Sequence, residues 1–296
     1  MTQIDQFESI FRAASKSVFE YEDWDLKKIT VVCDGDKSAA TAFCEDIKQF
    51  VSHAFDVNAI QWTVIAGSEF TTVDSLIKLI EEESPCLICS HRNLHIPSTE
   101  YPYSLGVYID VLTQAADAPV LLLPHPQIKH AETETETSRV KTKNWHTDTK
   151  RVMAITDHLD DDLSIVKAAI KMTAESGTLY LTHIEDERAY HRYMKIIDKV
   201  PEIDSDIAHE RVLERLLLEP MNFIESCRSE VAAQNLPFSV EPIVQLGHGL
   251  AEYKKIVSER NVDLVVMHTK DNDQLAMHGL AYPLTIELRD TPLLLI

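Results

Sequence analysis

Short apolar runs alternate along this chain with longer stretches whose apolar residues recur every three or four positions, and this alternation constrains the fold most. In the C-terminal half, "RVMAIT" (Arg151–Thr156) reads as a buried strand. The segment "DDDLSIVKAAIKMTAESG" follows, with acids in its first turn and Gly177 as a helix stop. "TLYLTHI" is a second strand, and a long helical region runs from about residue 203 to 234, with Leu213, Leu216, Leu217 and Phe223 expected on its apolar face. "SVEPIVQLG", "VDLVVMH" and "TPLLLI" supply three more strands, separated by the helices "LAEYKKIVSERN" and "YPLTIELRD". Strands separated by helix-length crossovers cannot form hairpins. They form a parallel sheet with helices on both faces.

The N-terminal half repeats part of this plan through "KKITVVCDG", "IQWTVIAG", "PCLICSH" and "APVLLLP", with helical segments between. "GVYIDVLTQAADAPVLLL" (Gly106–Leu123) and "GLAYPLTIELRDTPLLLI" (Gly279–Ile296) match in length, with glycine first and proline in the fourteenth place. That is an internal duplication. The first copy lacks one strand–helix unit between its first helix and "IQWTVIAG". The expected organisation is an amphipathic helix in 1–26, a truncated domain over 27–124, a polar linker over 125–149 and a full domain over 150–296. Ile4, Phe7, Phe11, Ala14 and Val18 form the helix's apolar stripe, which is expected to cover the sheet face left bare by the missing unit. In the linker, Trp145 is the one residue suited to pinning the segment down.

Composition narrows the function. Forty-eight acids against 28 bases leave a net charge of −20, a field that repels nucleic acid and anionic lipid. Neither partner is expected. No apolar run reaches the about 18 residues of a spanning helix, and residues 1–16 lack a basic leader, so a cytoplasmic protein is expected. The five cysteines show no framework spacing. Cys86 and Cys89 point to opposite faces if both lie on a strand, so both are expected in the core. Seven glycines in 296 residues are few for loops that wrap phosphate with backbone amides.

Both copies resemble universal stress protein domains. "YLTHIED", "VQLGHGLAEYKKIVSERNVDLVVMH" and "TPLLLI" carry the resemblance in the second copy, and "TVVCDG", "TVIAG", "IEEESPCLICS" and "APVLLLP" in the first. It spans about 245 of the 296 residues. The resemblance implies two flavodoxin-like, Rossmann-like parallel-sheet domains, the first truncated, pairing through their last strands as an intramolecular pseudo-dimer. A homodimer of whole chains is a further expectation. Nucleotide-binding members of the family carry G-x2-G-x9-G-[ST] after the fourth strand and an acid at the end of the first. By that resemblance Asp157, Ile184 and Gly279 mark a vestigial nucleotide site in the second copy, and Asp34 and Gly106 one in the first.

The pattern is broken in both. His268 and Asp271 replace the early glycines in the second copy, Ser90 and Asn93 in the first, and Leu280 and Val107 replace the hydroxyl residue. A Cβ resists positive φ and keeps backbone away from phosphate, and Asp271 adds like charge. Ordinary ATP binding is therefore not expected, and no cofactor. Asp34 and Asp157 could alternatively cap the following helices, and Gly106 and Gly279 could serve tight packing. His158, His183, His248, His268 and His278 fall near strand ends, where imidazoles could hold a metal, yet no spacing enforces convergence, and no metal is expected. No hydrolytic motif is present, so the chain is expected to be no enzyme. The expected role is binding of a protein partner or small ligand under stress. The alternatives are a nucleotide-binding member with a rearranged loop, or a histidine-based sensor.

Overall fold

The computed structural model describes residues 19–96, 101, 103–124, 148–156, 163–200, 204–269 and 279–296. The first half supplies β1 (Lys28–Val32), β2 (Gln61–Ile65), β3 (Leu87–His91) and β4 (Val120–Leu123). The second supplies β5 (Arg151–Ile155), β6 (Thr178–Asp186), β7 (Ser239–Gly247), β8 (Leu264–Met267) and β9 (Leu293–Leu295). All join in one nine-stranded sheet of order β2-β1-β3-β4-β9-β8-β5-β6-β7. Every pairing is parallel except β4 with β9, which is antiparallel, with Leu121 opposite Leu294. The two α/β units thus share one sheet rather than closing two. The reason lies in β4 and β9, which read VLLL and LLL and are buried along their whole length. An apolar strand left at an edge would offer unpaired backbone groups to any other chain, and mutual pairing removes both edges.

The helices divide between the faces by the direction in which the chain steps. Outward crossovers place α1 (Lys37–Val51), α4 (Leu163–Met172) and α6 (Ser205–Ala233) on one face. Returning crossovers place α2 (Val73–Glu83), α3 (Val107–Ala115), α7 (Gly249–Glu259) and α8 (Ala281–Glu287) on the other. Alternate strand residues feed the two cores: Val31, Cys89, Leu121, Leu294 and Val266 on the first, Val32, Ile88, Leu122, Leu293 and Val265 on the second. Both cores run unbroken through the β4–β9 junction, so the halves are one hydrophobic body.

Several expectations need correction. The strand "IQWTVI" pairs directly with β1, so the first half is one strand short at the sheet's outer edge. The region 203–234 is only part of an excursion that begins with α5 (Glu187–Ile197). The core face of α6 is Phe223, Ile224, Cys227 and Val231, and Leu213, Leu216 and Leu217 are only half-buried. Helix α6 therefore docks through its C-terminal half. Cys86 precedes β3 and is exposed, whereas Cys89 on the strand is buried. The apolar stripe of the expected N-terminal helix and Trp145 lie outside the described residues. The stretch 19–26 crosses the face of α1, α4 and α6. Phe19 N–H donates to Ser226 Oγ at 3.4 Å, Trp24 meets Phe55 edge-on, and Lys171 pairs with Asp23 at 2.7 Å. At the end of the expected linker, the buried Thr149 hydroxyl bonds the Met172 carbonyl, and its oxygen lies 2.8 Å from His53 Nε2 of the first half. No helix among the described residues is long and apolar enough to cross a membrane.

Candidate functional site

In each half the chain steps outward from its first strand and returns on the other side, so the β1–β3 and β5–β8 pairs are topological switch points. Open α/β sheets bind ligands in the crevice beyond the C-terminal ends of such strands. Corresponding hydrogen bonds set the correspondence of the halves: Arg92 N–H donates to Leu123 O, and Thr269 N–H to Ile296 O. His91 therefore stands where His268 stands, correcting the sequence expectation that Ser90 did. By the same ladders, Cys33 N–H donates to Ile65 O and Thr156 N–H to Thr182 O, so Cys33 matches Thr156 and Asp34 matches Asp157.

At the first switch point the sequence reads Cys33-Asp34-Gly35-Asp36. Asp36, not Asp34, caps α1, its carboxylate accepting from Ala39 N–H at 2.8 Å. Asp34 is thereby released for other work. Its Oδ1 lies 3.1 Å from His91 Nε2, and its Oδ2 accepts from the backbone N–H of His95 at 3.0 Å. His91 is buried against Phe43, with Nδ1 2.9 Å from the Arg92 carbonyl. Burial pushes the His91 pKa down. Hydrogen bonds to Asp34 and Cys33, the Asp34 charge and the Arg92 carbonyl outweigh it and lift it to about 9.

The loop after β3 folds back over the crevice. Asn93 and His95 adopt positive φ of 60° and 59° without glycine, so the expectation that Cβ-bearing residues would keep this loop from left-handed turns does not hold. Asn93 tolerates that region, and the Asp34 bond to His95 N–H helps to hold the second turn. Leu94 and Leu105 are fully buried, and His95 packs with Phe70 and Tyr108 at centroid distances of 4.7 and 5.4 Å. Gly67, after β2, lies so close beneath that a Cβ there would sit 2.1 Å from the Asp34 carbonyl.

Arg92 leaves this loop for the other half. Its guanidinium is buried and donates to the carbonyls of Thr285 and Leu288 at the end of α8, the second at 2.9 Å. Burial holds its pKa below the usual guanidinium value, with Asp290 opposing and Arg289 reinforcing the shift. These carbonyls lie at a helix C-terminus, where intrahelical donors run out and positive charge is favoured. A first-half residue thus caps the last helix of the second half.

In the second half, Asp157, His158, Asp271 and His278 lie outside the described residues. Ile184 is buried, its N–H donating to the hydroxyl of the fully buried Tyr253 at 3.1 Å. His183 Nδ1 lies 2.6 Å from the Thr156 carbonyl, and its Nε2 lies 3.4 Å from Glu185. His248 faces Glu187 at 3.6 Å, a carboxylate it shares with His191. The imidazoles of His183 and His248 are therefore held by different acids, and His268, just after β8, is half-buried. Gly106 caps α3 at φ 81°, and its Cβ would lie 3.0 Å from Asn93 Cα, so close packing is its role. Among the described residues nothing lies within 4 Å of a Cβ at Gly279, and the packing expectation fails there.

Among the described residues, the group whose ligand atoms could meet on one metal ion is Cys33, Asp34 and His91, all within 4.8 Å of one another. Sequence reasoning singled out Asp34 but neither neighbour. The available signal was the chain order itself: Cys-Asp closes the first strand, and a histidine closes the strand that pairs beside it.

The architecture is a doubly wound α/β sheet with two switch points. It is similar to the structure of a protein of unknown function from Pseudomonas aeruginosa PAO1, at TM-score 0.52 and 12% identity, covering 92% of each chain. It is equally similar to a candidate universal stress protein from Pseudomonas aeruginosa UCBPP-PA14, at TM-score 0.52 and 12% identity, covering 92% of this chain and 93% of that one. No protein-family model and no curated protein matches the sequence. The fold is that of the universal stress proteins, over nine-tenths of the chain.

Proposed function

We propose that this chain is a tandem universal stress protein that works by binding a protein partner or small ligand, without catalysis, and that its first half does not take ATP in the family's usual way. The observation that carries the reading is Asp34. In the family resemblance this acid meets the nucleotide, but here both of its oxygens face groups of the protein, His91 and the His95 amide. The amide of the loop that would otherwise face a phosphate already holds a carboxylate, and Leu94, Phe70 and Tyr108 pack beside it. A polyphosphate would have to break an ionic contact and bring more negative charge beside Asp34. The net charge of −20 favours partners other than nucleic acid or anionic membrane, and the cytoplasm is the proposed compartment.

Calorimetric titration of the full chain with Mg-ATP tests this. The expected result is no saturable heat at micromolar nucleotide and no excess absorbance at 260 nm after denaturation. Micromolar binding abolished by Asp34→Ala would overturn the reading. A second reading, nucleotide in the second half, is favoured by the open space at Gly279. It requires binding that survives Asp34→Ala and is weakened by Gly279→Val.

A further inference from the structure

The thiol of Cys33 is unexplained by an aspartate–histidine pair alone. In a regular strand, successive side chains diverge to opposite faces. Here β1 ends at Val32, and the turn through Asp34 and Gly35 swings both side chains to the same side as His91. His91 comes from the neighbouring strand, one step beyond the register pair Val32 and Ser90. Three donors of different chemistry, a sulfur, a nitrogen and an oxygen, therefore converge from two adjacent strands.

Their surroundings orient them as a metal's outer partners do. The Arg92 carbonyl at 2.9 Å fixes the proton of His91 on Nδ1 and aims Nε2 at the group. Gly35 N–H donates to Cys33 Sγ at 3.4 Å, and His95 N–H holds Asp34 Oδ2, directing Oδ1 to the centre. The Oδ1–Nε2 separation of 3.1 Å is near the about 3.3 Å edge of a tetrahedron with bonds of about 2.0 Å. Cys33 and His91 are buried, while the Asp34 side chain is 23% exposed, which leaves one side open to solvent. A thiolate–imidazole–carboxylate set suits Zn²⁺ and is a poor cage for Mg²⁺ or Ca²⁺, which prefer oxygen donors.

We propose that Cys33, Asp34 and His91 form a three-ligand zinc site at the first switch point, with water in the fourth position. The sequence alone led to the expectation of no metal, and the candidate histidines it offered were in the other half. The proposal is independent of the nucleotide reading, because zinc and ATP titrations report different ligands.

The test uses the full chain, stripped with a chelator and titrated with ZnCl2 against a chromophoric competitor. One equivalent should bind. Co²⁺ in its place should give a thiolate charge-transfer band with the intense d–d bands of tetrahedral geometry. Cys33→Ser should abolish the charge-transfer band and weaken zinc at least about 100-fold, beyond the effect of losing an outer partner. Zinc should raise the melting temperature of the native chain but not of Cys33→Ser, whose own melt and circular dichroism establish that it folds. His91→Gln should behave in the same way. The proposal is overturned if the stripped chain takes up no stoichiometric zinc. It is equally overturned if affinity and cobalt spectrum survive Cys33→Ser, including the case in which they are instead lost with His183→Gln.

Discussion

The last helices of the two halves occupy corresponding places in a duplicated chain, yet they are held in different ways. Helix α3 begins at Gly106, whose φ of 81° and approach to Asn93 lock it onto the loop after β3. Helix α8 begins after Gly279, against which no described residue packs, and is instead held at its far end by Arg92 from the other half. Asp110 in the first turn of α3 corresponds to Pro283 in α8, and its Oδ1 is buried without a hydrogen bond among the described residues. The switch points diverge similarly: Asp and His recur in both, but Cys33 becomes Thr156, whose hydroxyl bonds the Thr182 carbonyl within the sheet. Duplication preserved the backbone plan, while the side chains at the crevice took on separate duties.

Four substitutions would break or sharpen this contrast. Arg92→Ala should be the largest, costing about 3–5 kcal/mol in urea unfolding, because it strips charged donors from two carbonyls and opens a void between the halves. A loss under about 1 kcal/mol would mean that α8 does not depend on the first half. Gly106→Ala should cost about 1–3 kcal/mol, since alanine resists that φ and its methyl meets the Asn93 backbone.

Asp110→Asn should act in the opposite sense. Burial raises the Asp110 pKa, so the folded state disfavours its charge, and stability falls as pH rises from the unfolded value through the folded one. Asparagine removes that cost but also the acid's favourable place at a helix N-terminus. The net gain should be about 0.5–1 kcal/mol at pH 7, closing to zero below about pH 4 in a pH series of denaturation curves. The smallest effect belongs to Gly279→Ala, expected within about 0.5 kcal/mol of the native chain by the same measurement. A cost matching that of Gly106→Ala would show the two glycines to be equivalent after all.

The strands were legible in the sequence because burial on both faces demands continuous apolar runs, and those runs leave a plain trace. The duplication was legible for the same reason, down to the shared glycine and proline of the last helix and strand. Helix α5 was missed although Tyr190, Tyr193, Met194 and Ile197 recur at three- and four-residue steps; of these only Tyr190 and Met194 are buried. Exposure of Cys86 was missed because the run "PCLICSH" does not show where its strand begins. Asp34 was legible as a candidate, but its partners were not: Cys33 adjoins it, whereas His91 is distant in the chain and the His95 amide has no side-chain signature.

What the sequence determined by itself is every strand and all the helices but α5, their repetition and the broken phosphate motif, all of which depend on local pattern. Only the tertiary structure decided that Arg92 crosses between the halves, and that a thiol, a carboxylate and an imidazole meet at one switch point. Those outcomes depend on which strands become neighbours. Pairing is a property of the whole packed sheet, and no local stretch of residues encodes it.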